Sequence, residues 1–192
     1  IYLLRQLEFS YVTYIAITLA GTVFSLTVIE LWGKFADRYG NYRVLAITSI
    51  ILPIIPIIWI LSPHPLYLIL FPSIIGGVSW SGFHIASGNF IYANVSPQKR
   101  CLAVSYYNVL LGIGVFFGAG LGAILIKFIN TEIITPLFVV FIISAFVRMI
   151  VVFFFLTTIK EIRKTEKFNG TKSLRNIIFK EAKPTFLEEA HE

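Results

Sequence analysis

Five long apolar stretches govern what this chain can fold into. They run over residues 11–31, 44–61, 66–92, 102–129 and 136–159. A helix needs about 20 such residues to cross ~30 Å of hydrocarbon. Inside a bilayer every backbone N–H and C=O must be paired within the protein, which leaves helices or closed barrels. The stretches lack the period-two alternation of a barrel strand, and the connections between them are short. The predicted fold is therefore an all-α membrane protein, a polytopic bundle of transmembrane helices occupying residues 1–159. Composition agrees: 14% of residues are charged and 57% hydrophobic, against roughly 25% charged in soluble domains. Eighteen Phe, nine Tyr and three Trp exclude a solvated, disordered chain.

Charge placement orients the bundle. Lys34, Arg38, Arg43, Lys99, Arg100, Lys160, Arg163, Lys164 and Lys167 fall on one side of the spans, Arg5 and Lys127 on the other. Nine against two puts the first side in the cytoplasm. The expected location is a cell membrane, plasma or inner, with residues 160–192 as a cytoplasmic basic tail. Leu174, Ile177, Ile178 and Glu181 recur there at helical spacing, which fits either a short helix on the anionic leaflet or a solvated tail. The sequons at Asn94 and Asn169 lie on this inner side and are read as chance matches. The formal net charge of +6 comes in clusters between spans rather than as a face, so no nucleic-acid partner is expected.

The chain starts at Ile1, and its only Met is Met149. The expectation is a fragment or a processed product. Residues 1–10 read either as the end of an earlier helix or as a frayed terminus.

The most specific pattern follows the first span: Trp32-Gly33-Lys34-Phe35-Ala36-Asp37-Arg38-Tyr39-Gly40-Asn41-Tyr42-Arg43. It reads as a tight cytoplasmic turn. Gly33 permits close backbone approach, and Gly40 can take a positive φ where the chain reverses. The Asp37 carboxylate can accept hydrogen bonds from the N-terminus of a neighbouring helix. Made in one conformation and broken in another, that contact is a latch; the alternative is an ordinary charged turn.

This segment resembles the signature loop of the major facilitator superfamily, G-x-x-x-D-[RK]-x-G-[RK]-[RK], with Gly33, Asp37, Arg38, Gly40 and Arg43 in place. Asn41 and Tyr42 depart from it. In that family the loop joins helices 2 and 3, and again helices 8 and 9. Four spans and a basic tail follow it here, so the resemblance implies the C-terminal half, from the end of helix 7 through helix 12. Ser96-Pro97-Gln98-Lys99-Arg100, with Ala103 and Gly112 beyond, is similar to the family's helix 10–11 turn. The implied fold is two six-helix halves around a cavity that opens alternately to either side. The implied partners are the lipid bilayer, a small-molecule substrate and the missing N-terminal six-helix half. Helices 7 and 10 would line the cavity, 8 and 11 would face the other half, and 9 and 12 would lie outside.

Helix 10 then offers the candidate substrate contacts. Gly77, Trp80, His84 and Ser87 recur at steps of three and four and share a face. Trp80 can stack or donate its indole N–H, and His84 can donate, accept or titrate. A His deep in a span is a functional hypothesis by default, against a structural His bonded to a neighbouring backbone. Glu30 reaches Lys34 at i+4 and reads as a boundary ion pair or a proton-coupling group. Arg148, mid-span, reads as a structural pair or a snorkelling side chain ahead of ion coupling. Gly114, Gly118 and Gly122 have the small-xxx-small spacing of close helix packing, and Pro53 and Pro56 should kink their span.

No cofactor is implied, and enzymatic function is not expected. Cys101 is alone, and His64, His84 and Glu30 lie on different spans or turns. The leading function is part of a secondary active transporter moving a small solute by alternating access. The alternative is a stand-alone five-helix membrane interaction protein or an oligomeric pore.

Overall fold

The computed structural model describes residues 2–129 and 136–159. The tail and its possible helix lie outside them. Among the described residues there are helices and turns and no strand. Five helical spans are long and apolar enough to cross a membrane.

The first, α1, covers Tyr11–Tyr39 and is capped by Ser10, whose Oγ accepts the Thr13 N–H at 3.3 Å. Before it, Tyr2–Gln6 form one wide helical turn with Tyr2 and Leu3 buried, so this segment is packed rather than frayed. The helix continues well beyond residue 31, where hydropathy ends the span. Trp32 to Tyr39 include nothing that stops a helix in water, and hydropathy measures burial in lipid rather than helicity. Gly40 is what ends it. Its φ of 95° and ψ of 149° lie outside helical space, and its N–H closes the last turn on Ala36 O at 2.8 Å.

The second span consists of α2, Asn41–Ile51, and α3, Ile54–Leu61, separated at Leu52 and Pro53. The third consists of α4, Pro65–Leu68, a π-helical turn over Ile69–Ser73, and α5, Ile74–Asn94. A short 3₁₀ turn at Pro97–Lys99 leads into α6, Arg100–Phe128, and α7 covers Pro136–Thr158.

Proline explains both irregular spans. A proline has no N–H for the carbonyl four residues earlier. Pro56 thereby releases Leu52 O, which accepts from Arg148 Nη1 of α7 at 3.3 Å. Pro72 releases Leu68 O, which accepts from Ser73 Oγ at 2.8 Å. These two carbonyls are each supplied by a side chain, one from a distant helix and one from the residue after the proline, as suits a low-dielectric interior.

Helix packing centres on α1, α2 and α5. Gly77 lies so close against the backbone of Gly21 that a Cβ would collide with the Gly21 carbonyl. Further along the same crossing, the Trp32 ring and Thr48 methyl cover Gly82. Trp32 Nε1 donates to Val78 O at 2.8 Å. One core gathers Phe35, Ala36, Tyr39, Val44, Leu45 and Ala86 around the end of α1. A second gathers Tyr2, Leu3, Ile17 and Leu68 at its start, with the Tyr2 ring edge-on to Phe141 at 5.5 Å. By contrast, none of the 29 residues of α6 is buried.

Candidate functional site

The signature segment occupies the junction of α1 and α2. Gly33, Asp37 and Arg38 are helical, and Gly40 alone separates α1 from α2, so the predicted loop is a one-residue break between helices. The expectation for Gly33 also changes. A Cβ there would meet Ile85 Cδ1 at 3.7 Å, an ordinary contact rather than close backbone approach. Asp37 is exposed, Arg38 lies 5.6 Å from the Tyr39 ring centroid, and Arg43 sits on the first turn of α2.

The two departures from the signature have definite surroundings. Tyr42 donates its hydroxyl to Leu156 O of α7 at 3.3 Å and stacks on Phe155 at 6.3 Å. Asn41 is 8% exposed. Tyr42 thus ties the start of α2 to the last turns of α7 through a ring contact and a hydroxyl donor.

The middle of the bundle holds the other candidates. Trp80 stacks on His84 at 5.3 Å with 24° between the planes. The Arg148 guanidinium lies 5.8 Å from the Trp80 ring centroid. A hollow of about 260 Å³ opens between α2, α5 and α7 and includes Ser49, Trp80, Phe83 and Arg148 in its wall. Another of about 260 Å³ lies towards α1 and α3, lined by Thr18, Gly21, Trp59, Ser73 and again Trp80. Trp80 belongs to both. His84 is exposed, Ser87 half-buried, and Gly77 is taken up by the contact with Gly21. The structure therefore joins Trp80 to His84 and to Arg148, and assigns Gly77 to a helix crossing.

Glu30 and Lys34 form an ion pair at 3.0 Å, with the carboxylate side chain 76% exposed and the lysine 43%. Such a pair contributes little stability. Gly114, Gly118 and Gly122 on α6 have no atom within 4 Å of where a Cβ would project, so no helix of the described residues packs on them.

With this geometry in place, comparison with known families is decisive. The sequence model of the Major Facilitator Superfamily matches residues 1–187. The chain belongs to the major facilitator superfamily. No curated protein and no solved structure matches it. Members of the superfamily are transporters. This member is an integral membrane protein with five membrane-length helical spans among its described residues.

Sequence reasoning missed three features of the superfamily member's site. The first is the π-helical turn, for which Pro72 was the available signal, since a proline inside a span always releases a carbonyl. The Arg148–Leu52 bond is the second, foreshadowed by Pro56 and by a lone mid-span arginine. The third is Tyr42, visible only as a departure from the signature.

Proposed function

We propose that this chain is the C-terminal half of an alternating-access transporter, from the end of helix 7 through helix 12, moving a small solute. In this reading α1 is helix 8, α5 helix 10, α6 helix 11 and α7 helix 12. The observation that carries it is the signature segment with Gly40 at positive φ between two spans, in a chain that matches the superfamily over nearly its full length. Helix α6, none of whose residues is buried, supports it as well, since no described residue packs on its glycine stripe. The N-terminal six-helix half is the proposed occupant. The signature end of the bundle faces the cytoplasm of a plasma or inner membrane, as does the tail.

Trp80 and His84 form the substrate-contacting face, with Ser87 one turn further on. Their stacked rings present a flat apolar surface together with polar ring nitrogens. The Asp37 carboxylate acts as a latch on a neighbouring helix end in one of the two states.

Access tests this directly. In a Cys101→Ser background, Ser87→Cys is reacted with a membrane-impermeant maleimide from each side. Alternating access gives labelling from both sides, with Asp37→Asn changing the exchange between them by about tenfold, the equivalent of ~1.4 kcal/mol at the barrier. Labelling from both sides that Asp37→Asn leaves untouched supports an open pore instead. The stand-alone interaction protein gives no labelling from either side.

A further inference from the structure

Arg148 is the thirteenth of the 23 residues of α7, which places its guanidinium near the bilayer midplane. The residues around it are also mid-span: Leu52 at the break between α2 and α3, and Trp80 well inside α5. Guanidinium does not give up its proton in a protein, so the charge stays. The structure gives it one hydrogen bond, to Leu52 O, and the face of Trp80. Neither carries a countercharge. The acidic residues described are Glu8, Glu30 and Asp37: Glu30 is paired with Lys34, Asp37 lies at the far end of α1, and Glu8 precedes α1 on the surface. None of them meets Arg148.

The charge sits in the wall of a hollow that is apolar apart from Ser49 and the indole of Trp80. Phe83, Val147, Val151, Val152 and Phe155 line it beside the guanidinium. Val147 and Val151 are 51% and 60% exposed, so the hollow opens sideways along the surface of α7. Hydrocarbon tails can fill an apolar recess but cannot neutralise a cation. Water is scarce at this depth. The occupant that answers both demands is one anionic group on an apolar chain.

We propose that this hollow binds a single-chain fatty carboxylate, its head on Arg148 and its alkyl chain along the valines of α7 and Phe155. Guanidinium matches a carboxylate through parallel N–H donors, and the pair strengthens where water is excluded. The proposal does not depend on the transport reading, because it concerns binding to the chain as it stands.

The test uses the full chain in nanodiscs of zwitterionic phosphatidylcholine, with terminally brominated dodecanoate as a quencher of tryptophan fluorescence. Saturable quenching that vanishes in Trp80→Phe is expected, with brominated dodecanol at least about tenfold weaker. Arg148→Gln should weaken the carboxylate and leave the alcohol unchanged. That variant also removes the donor to Leu52 O, so Val151→Phe serves as the second probe: it narrows the hollow while keeping Arg148, and should weaken the acid by about tenfold. Equal quenching by acid and alcohol overturns the proposal in favour of a lipid-filled apolar recess. Absence of quenching by either probe also overturns it and leaves an acidic side chain of another polypeptide as the countercharge.

Discussion

Adding a Cβ at Gly77 would drive it into the carbonyl of Gly21, whereas at Gly33 the nearest atom is Ile85 Cδ1 at 3.7 Å. The two glycines therefore respond oppositely to the same change. Gly77→Ala is expected to destabilise the chain by about 1–3 kcal/mol, the usual range for overpacking. Gly33→Ala should be neutral or stabilising by up to ~1 kcal/mol, because alanine is the better helix former. Thermal unfolding of the two variants side by side in one detergent checks both. Gly40→Ala belongs with the first, since φ of 95° with ψ of 149° is a nearly glycine-only conformation that costs a side chain about 1–3 kcal/mol. Sequence alone pointed to Gly40, because a glycine after a run of helix formers at a chain reversal has few other uses. It did not separate Gly33 from Gly77. Which of them touches a neighbouring backbone depends on where α1 crosses α5, and no local pattern encodes that crossing. His84 is a residue-scale case too: with Trp80 stacked on it, and in the substrate-contacting role proposed above, His84→Ala should reduce affinity for the solute by about tenfold, read as a rise in the dissociation constant with the fold intact.

Among the elements, two spans are interrupted: the second breaks where Pro53 and Pro56 were expected to kink it, and the third has a π-helical turn that was not expected. Five spans were legible as runs of apolar residues, and their count stands in the structure. Their interiors were legible only through proline, because an apolar run otherwise looks the same whether or not its hydrogen-bond ladder is continuous. The break at Leu52 and Pro53 and the π-helical turn at Ile69–Ser73 are ladder defects repaired by Arg148 and Ser73. This makes Pro56 and Arg148 energetically coupled. Arg148→Leu should cost about 1–3 kcal/mol, the penalty of a buried carbonyl left without a donor. In a Pro56→Ala background, residue 56 regains an N–H for Leu52 O, and the same change should cost about 1 kcal/mol less. A four-variant cycle of unfolding free energies measures that difference. Strict additivity would mean that the carbonyl is satisfied in some other way. The charged end of α1 was likewise hidden from hydropathy, since Lys34, Asp37 and Arg38 suggest a loop while the backbone remains helical through Tyr39.

For the whole molecule, the contrast between α6 and the remaining helices matters most. No residue of α6 is buried, and Gly114, Gly118 and Gly122 face no described neighbour. Gly118→Leu should therefore leave the thermal midpoint of this chain unchanged. In the intact transporter proposed above it should slow two-sided labelling of Ser87→Cys, because the larger side chain would hold two halves apart. A loss of stability in the chain alone would show that the stripe packs internally. The path of α1 has a mechanical consequence. Helix α1 is unbroken from Tyr11 to Tyr39 and crosses α5 where Gly21 meets Gly77. From that crossing to Tyr39 is about 27 Å at 1.5 Å per residue. A tilt of ~5° about the crossing swings the far end by about 2 Å over that arm, enough to break or make a hydrogen bond. Because Trp32 is bonded to Val78 O and Phe35, Ala36 and Tyr39 share a core with Val44, Leu45 and Ala86, α1, α5 and the start of α2 would swing as one body in the alternation proposed above. Asp37 rides near the tip of that body, beside the single residue Gly40 that joins α1 to α2.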